Sequence, residues 1–504
     1  MDIAIINSRA LVGIHAPEVT VEVHLSRGLP ALSIVGLPET AVKESKERVR
    51  SAILNNKFEF PLKRITINLA PADLPKQSGR YDLAIAIGIL VASKQLPTNC
   101  LDEYEFIGEL ALTGQLRPVT GVLPIAAAVQ GVGKKLILPQ ANATEAAMVQ
   151  TLQVLPATHL LEVCQELKLP GQIAGYKATS KQPNKTASTD LADIHGQINA
   201  KRALEICASG GHNLLMIGPP GSGKTMLAER LPGILPPLTE SEALETAAIH
   251  SISQKGFQPD NWKIRPMRTP HHTASAAAIT GGSSHPRPGE VSLAHHGVLF
   301  LDELPEFKRH VLEVLREPLE SQEISISRVA AQVCFPAAFQ LIAAMNPCPC
   351  GYLGDHSDRC ICNPEQIRRY WSRISGPLLD RIDLHIEVAN ISAELMRKFG
   401  QQGNENSSAV RHRVQMAHDY QRQRQGCVNA RLSNAQLESS CQPGADGQKL
   451  LTQAVERLCL SARGIYRVLK VARTIADMAQ SEHIQDKHVA EAISYRYLDR
   501  KLPD

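Results

Sequence analysis

One run of eight residues constrains this chain more than any other feature: Gly218-Pro-Pro-Gly-Ser-Gly-Lys224-Thr225. It follows the apolar run Leu214-Leu-Met-Ile217, which reads as a buried parallel strand. The helix-compatible Met226-Leu-Ala-Glu-Arg230 comes after it. G-x-x-x-x-G-K-T between a strand and a helix is the form of a phosphate-binding loop. Its glycines let backbone N–H groups turn toward phosphate oxygens, and the helix N-terminus adds a favourable dipole. Gly218, Pro219, Pro220, Gly221, Ser222 and Gly223 then cradle the phosphates of ATP. Lys224 reaches the β- and γ-phosphates, and Thr225 ligates Mg²⁺. A chance glycine turn would not carry the full pattern with both flanks.

A second apolar run, Gly297-Val-Leu-Phe-Leu301, ends in Asp302-Glu303. Acidic residues there could merely start a turn. Paired with the upstream loop, Asp302 is read as holding Mg²⁺ through its water shell and Glu303 as polarising the attacking water. A third run, Gln340-Leu-Ile-Ala-Ala-Met345, ends in Asn346.

These motifs sit within an α/β pattern. Residues 1–168 alternate strand-like runs (Val19–Val23, Ile65–Leu69, Lys135–Leu138) with helical ones (Thr40–Leu54, Leu83–Ser93). Residues 169–190 are rich in Gly, Ser, Thr, Lys and Pro and read as a linker. Residues 191–389 carry the nucleotide motifs, and 390–504 are periodic and helical, ending in a lid over Leu458–Arg500. The chain has 504 residues and 54 basic against 50 acidic side chains, so any polyanion-binding surface must be local. No apolar run reaches the ~18 residues of a membrane helix, and the start lacks a secretion signal. We therefore expect a cytoplasmic protein.

Eleven cysteines in that compartment read as thiols or metal ligands. Four of them form two C-x-C pairs, Cys348-Pro-Cys350 and Cys360-Ile-Cys362, joined by a turn-prone loop. Such a set can present four thiolates tetrahedrally, the arrangement structural Zn²⁺ favours. Redox-active or simply buried thiols are the alternative, but the segment around Cys350 and Cys360 offers little apolar sequence to bury them.

Several further segments carry a resemblance: Ala278-Ile-Thr-Gly-Gly, His285-Pro-Arg-Pro-Gly-Glu-Val-Ser-Leu-Ala-His, Leu299-Phe-Leu-Asp-Glu-Leu-Pro-Glu-Phe, Asn346-Pro-Cys-Pro-Cys-Gly and Ala472-Arg-Thr-Ile-Ala-Asp. Across essentially the whole chain they resemble the magnesium-chelatase-like AAA+ ATPases of the YifB/ComM family. The resemblance implies a hexameric helicase that drives branch migration while incoming single-stranded DNA is integrated in natural transformation, with single-stranded and branched DNA as partners. It implies that Asn346 orients the attacking water. It also implies that Arg381 serves as a finger to the neighbouring subunit, and that a lid helix starting at Leu460 brings Arg463 to the nucleotide. Arg373 and Arg467 are the alternatives for these two roles. A hairpin over Ile324–Val333 resembles one that projects into the pore of related helicases. Its Arg328 is read as a phosphate contact or, equally, as a salt bridge within the hairpin. Arg268-Thr-Pro-His-His-Thr resembles a second pore insertion, whose histidines could instead be structural. The arginines of Val410–Arg424 read as a solvated face.

The first block has its own echo. Phe106-Ile-Gly-Glu-Leu-Ala-Leu-Thr-Gly, Pro124 and Leu136-Ile-Leu-Pro139 resemble the proteolytic domain of Lon. That domain needs a nucleophilic serine and a lysine. Here Tyr81 or Asp82 occupies the serine position, Ser78 is out of register, and Val119–Gln130 holds no lysine. The expected fold is thus α/β: an AAA+ P-loop core with a helical lid, preceded by a Lon-protease-like domain lacking the catalytic dyad. A chelatase-like protein-remodelling ATPase is the rival reading. The first block and the cysteine cluster, both expected to be missing from chelatase motors, are the features that would separate the two.

Overall fold

The computed structural model describes residues 3–36, 40–76, 78–177, 189–282, 286–327, 332–354, 359–390, 404–458 and 460–496. The chain divides into two compact units. One is Met1–Asn184 with Glu240–Trp262, the other Lys185–Thr239 with Lys263–Asp504.

In the first unit β1 (Ile3–Arg9), β2 (Glu18–Ser26), β3 (Ala31–Val35) and β4 (Arg64–Ala70) form a sheet in the order β1-β2-β4-β3. Every second residue of β2, from Val19 to Leu25, is buried, as a strand with one covered face requires. The wholly buried helix Asp82–Ala92 packs on this sheet. Strands β5 (Tyr104–Phe106), β6 (Glu109–Leu110), β7 (Leu116–Arg117), β8 (Lys135–Pro139) and β9 (Val154–Ala157) follow. Of these, β5, β8 and β9 make a parallel sheet, while β6 and β7 pair antiparallel. The helix Glu240–Ser251 was expected within the second block. It instead buries Ala247 in the first unit's core beside the helix Val122–Gly131, and Gly121 N–H donates to Ser251 O.

The second unit is built on five parallel strands. They are β10 (Leu214–Ile217), β11 (Met267–Arg268), β12 (Val298–Leu301), β15 (Gln340–Met345) and β16 (Leu384–Glu387), in the order β11-β12-β15-β10-β16. β10, β12 and β15 are buried along their whole length. That is why each reads as a continuous apolar run: both faces are covered, and each buried leucine contributes roughly 1.5–3 kcal/mol. Between β12 and β15 in sequence, β13 (Glu323–Ser327) and β14 (Gln332–Pro336) form the expected hairpin. Its tip, including Arg328, lies outside the described residues.

The C-terminal helices Ser407–Gln425, Asn434–Ser440, Ala445–Leu458, Ala462–Met478 and Asp486–Ser494 share one core with the sheet. A buried ion pair anchors them: Asp477 accepts from Arg424 at 2.6 Å and from Arg473 at 2.9 Å. Other arginines of the helix Ser407–Gln425 are likewise committed within the chain. Arg411 donates to Gly233 O at 2.7 Å, and Arg413 pairs with Glu205 at 2.5 Å. Among the described residues no helix is long and apolar enough to cross a membrane.

Candidate functional site

Parallel strands bring their carboxyl ends to one edge, and the site is assembled there. The register Ile217↔Met345 sets Gly218 beside Asn346, and Gly218 N–H donates to Met345 O at 3.2 Å. Gly223, with φ +90, caps the helix Lys224–Ile234 in a left-handed conformation that favours glycine. Lys224 Nζ folds back on the loop, donating to Gly218 O at 2.6 Å, Pro219 O at 2.9 Å and Asn346 Oδ1 at 3.3 Å. These oxygens stand where phosphate oxygens would compete for the ammonium. Burial pushes the Lys224 pKa down, and Asp302 opposes the shift. The buried Ser222 hydroxyl has no hydrogen-bond partner among the described residues. A buried ammonium satisfied only by carbonyl-type oxygens, beside an orphaned hydroxyl, fits a triphosphate.

The Mg²⁺ residues fit equally. Thr225 Oγ1 donates to Asp302 Oδ2 at 2.9 Å, so hydroxyl and carboxylate converge on one place. Asp302 Oδ1 accepts from Glu303 N–H at 2.9 Å. Glu303 turns off the end of β12 with φ +52, and its Oε2 lies 3.3 Å from His272 Nδ1. The structure thus brings Gly218–Thr225, Asp302, Glu303 and Asn346 together. No local pattern points to the contact of His272 with Glu303, because only folding joins the two. Arg268, from the same insertion as His272, is held by Glu290 at 2.6 and 2.8 Å.

Arg381 and Arg463 lie at the other edge. Nearly buried Arg381 donates to Pro377 O at 2.6 Å and pairs with Glu320. Arg463 Nη2 is 3.8 Å from the same carboxylate. Both adjoin a cavity of about 370 Å³ lined by Asn213, Glu320, Asp383, Arg463, Arg467 and Lys470, or, for Arg381, contact its lining at Glu320. Asn213 and Asp383 directly precede β10 and β16. The cavity therefore sits at the amino ends of the strands, and β10 alone separates it from Gly218 by roughly 13 Å. The helix Ala462–Met478 starts at this amino edge, so Arg463 does not lie at its own chain's phosphate loop. Arg467 pairs with Asp383 at 2.5 Å, and Arg373 pairs with Glu306 at 2.9 Å. Burial pushes the Arg381 pKa down and Glu320 raises it, while Arg316, Arg463 and Arg467 add to the lowering. Its buried Nε has no partner among the described residues.

The four cysteines converge. Cys348 Sγ lies 3.3 Å from Cys350 Sγ and 3.8 Å from Cys360 Sγ, and Cys350 and Cys360 are 3.7 Å apart. With Cys362 the ligand atoms all lie within 4.8 Å. A disulfide needs about 2.05 Å, whereas sulfurs about 2.3 Å from a tetrahedral Zn²⁺ stand about 3.8 Å apart. Burial pushes the Cys350 thiol up, but N–H groups of Tyr352 and Ile361 donate to it and, with the neighbouring thiols, bring it to about 6. Burial pushes Cys362 to about 12. Cys459 lies outside the described residues, as does His285.

In the first unit, the positions matching the Lon nucleophile are buried. Asp82 is held by Arg48 at 2.7 Å, by Ser45, and by Leu110 N–H at 3.2 Å. Burial pushes its pKa up, against the hydrogen bonds from Arg48 and Ser45. Tyr81 is fully buried.

Comparison with known proteins extends this geometry. A family model described as magnesium chelatase, subunit ChlI, matches residues 190–396. One described as subunit ChlI of Mg-chelatase matches 21–142, and one for the C-terminal part of magnesium chelatase subunit ChlI matches 404–496. The chain is 50% identical over 504 residues to the uncharacterized protein YifB of Salmonella typhimurium, spanning 100% of this chain and 98% of that protein. It is 50% identical over 507 residues to the competence protein ComM of Haemophilus influenzae, spanning 100% and 99%. A shorter match, 26% identical over 147 residues, covers 28% of this chain and 27% of Lon protease 2 of Bacillus subtilis. Because a chelatase-subunit model matches 21–142, the first block does not separate this chain from chelatase-type subunits.

Proposed function

Since the chain belongs to the magnesium-chelatase-like family of YifB and ComM, we propose that it is an ATP- and Mg²⁺-dependent AAA+ motor that moves DNA. The observation that carries the ATPase is the carboxyl-edge constellation: Thr225 on Asp302, Lys224 on Asn346, and Glu303 beside them. Lys224 and the loop amides bind and orient the triphosphate. Thr225 and Asp302 would hold Mg²⁺, which would supply positive charge opposite the phosphates. Glu303 draws a proton from the attacking water, which Asn346 helps to orient.

Residues 191–389, apart from 240–262, are the motor core and 390–504 the helical lid, with a 169–190 linker to a Lon-like domain over 1–168. The buried, ion-paired Asp82 supports the reading that this domain has no protease chemistry. Arg381 and Arg463, remote from their own phosphate loop, serve the neighbour's nucleotide, which makes a ring, a hexamer, the working form. Cys348, Cys350, Cys360 and Cys362 hold Zn²⁺. The protein acts in the cytoplasm on single-stranded and branched DNA, in branch migration during natural transformation. The relation to a competence protein supports this, as does the β13–β14 hairpin that would present Arg328 to the pore.

The test is ATP turnover with and without single-stranded DNA, together with migration of a branched substrate. Stimulation and movement are expected, and Arg328→Ala should cut movement while sparing DNA-free turnover. The matches to chelatase-subunit models favour a second reading, a protein-remodelling ATPase. Turnover indifferent to DNA, with no branched substrate moved, would replace the first reading with that one.

A further inference from the structure

We propose that the four-cysteine site is a metal-dependent brace for the phosphate loop: Zn²⁺ bound there holds Gly351 against Pro220 and so sets the affinity for nucleotide. This inference rests on the ATPase and zinc readings above. Its basis is where the cysteines lie. Cys348 comes two residues after Asn346, which itself accepts from Lys224. Gly351 N–H donates to Cys348 O at 2.9 Å, closing a tight knuckle in which Gly351 has φ +86. The knuckle lies directly on the loop: a Cβ at Gly351 would come within 2.6 and 2.8 Å of Pro220 Cδ and Cγ, and 3.8 Å from Asn346 Cγ. On its other side Trp371 Nε1 donates to Pro347 O at 3.1 Å. The backbone linking Asn346 to the cysteines is therefore wedged between the phosphate loop and the helix Pro364–Trp371.

What keeps the wedge closed is not an apolar core. Cys350, Cys360 and Cys362 are only partly buried, and Ile361 between the last two is 88% exposed. The sulfur separations match a tetrahedral thiolate site, and backbone N–H groups already point at the sulfurs. Those of Tyr352 and Ile361 reach Cys350, that of Cys362 reaches Cys360, and that of Cys350 reaches Cys362. Such bonds orient thiolate ligands. On binding, Zn²⁺ would displace the thiol protons to solvent, and four metal–sulfur bonds would tie the 360–362 segment to the 348–351 knuckle. Remove the metal and only weak thiol contacts remain. Pro220 then loses a fixed neighbour, and the loop must be ordered at the expense of nucleotide binding energy.

The experiment uses the full chain, purified without chelator. Zinc is measured by elemental analysis, and binding of a fluorescent ATP analogue is titrated before and after chelator treatment and after zinc is restored. Two variants accompany it. Cys360→Ser/Cys362→Ser removes ligands. Gly351→Val keeps all four cysteines but pushes a side chain into Pro220. The expected results are about one zinc per chain and affinity falling about tenfold or more on metal removal, recovering with zinc. Gly351→Val should keep its zinc and bind nucleotide as poorly as the stripped protein, with an unchanged far-ultraviolet spectrum. No zinc in the untreated chain overturns the metal site. Zinc present, but affinity unmoved both by its removal and by Gly351→Val, overturns the brace and leaves the metal as a local staple. A wild-type chain that binds no ATP analogue overturns instead the nucleotide reading on which both depend.

Discussion

The two edges of the five-stranded sheet differ in the charges they gather. At the carboxyl ends the backbone of Gly218–Thr225, Lys224 and the Asp302/Glu303 pair surround a place for phosphates and Mg²⁺. At the amino ends Arg381, Arg463 and Arg467 crowd around Glu320 and Asp383. The first edge has one buried ammonium for the several charges of a triphosphate. The second has clustered guanidinium groups, one with a buried nitrogen that has no partner among the described residues. Neither edge reaches across its own sheet, so on the proposed ring reading each would be completed by another chain. The difference teaches that a single subunit can bind nucleotide but should hydrolyse it poorly.

The largest effects should come from the carboxyl edge. Lys224→Ala removes the loop cation read as reaching the β- and γ-phosphates and should abolish nucleotide binding or turnover, as read by equilibrium titration and phosphate release. Glu303→Gln keeps the shape but not the base; it should bind ATP and lose about 10²–10³-fold in turnover. Wild-type turnover by Glu303→Gln would remove Glu303 from its role.

The amino edge makes its own demand. Arg381→Ala alone should lose about 10³-fold in turnover, the scale of a finger supplied in trans, while its ATP affinity stays near normal. Mixed with Lys224→Ala protein, which has an intact finger and a dead loop, it should regain part of that activity at shared interfaces. Mixtures shown to co-assemble and yet silent would break the idea that the two edges meet.

How much of this was legible beforehand divides along the same line. The carboxyl edge was readable because each of its parts ends a contiguous apolar strand: Ile217 before Gly218, Leu301 before Asp302, Met345 before Asn346. Local sequence specifies both the strand and what stands at its end. Which edge Arg463 reaches was not legible, because it depends on packing of Ala462–Met478 against the helix Ile198–Gly210, a long-range fact with no local signature. The helix Glu240–Ser251 was misplaced for a similar reason. Its apolar residues, Leu244, Ala247 and Ala248, say that it packs but not on which partner. The four cysteines were legible by spacing, whereas the contact of Gly351 with Pro220 was not.

A smaller effect is expected at His272. Its Nδ1 lies 3.3 Å from Glu303 Oε2, where it would position the carboxylate. His272→Ala should lower kcat a few-fold, about 1 kcal/mol in barrier, with KM unchanged, and His272→Asn, which keeps a donor, should recover part of the loss. A rise in KM with constant kcat would show that the histidine shapes nucleotide binding instead. A rise in kcat would make the contact a restraint on Glu303 rather than a support.

The smallest effect separates the edges by pH. His385, in β16 at the amino-edge side, is fully buried; burial and then Arg496 bring its pKa down to about 3, with Asp383 opposing and Arg467 adding to the shift. In the unfolded chain it titrates near its ordinary 6.5. Above that value both states are neutral and the histidine is silent. As pH falls below it, the unfolded state takes up a proton that the folded state refuses, so stability declines by up to about 1.4 kcal/mol per pH unit until the folded pKa is reached. Asp383 is held well below the usual carboxylate range, chiefly by Arg467 against the burial that would raise it. Its stabilisation is present above the unfolded carboxylate pKa and is lost only at lower pH than the window in question. Between about pH 6.5 and 4.5, then, His385 acts alone among this pair. Denaturant unfolding of wild type should lose roughly 1 kcal/mol more than His385→Leu between pH 7 and about pH 5.5, whatever the variant's stability at neutral pH. Parallel pH profiles for the two proteins would show that His385 gains its proton in the folded state, and that the amino edge is open to water where it is drawn as closed.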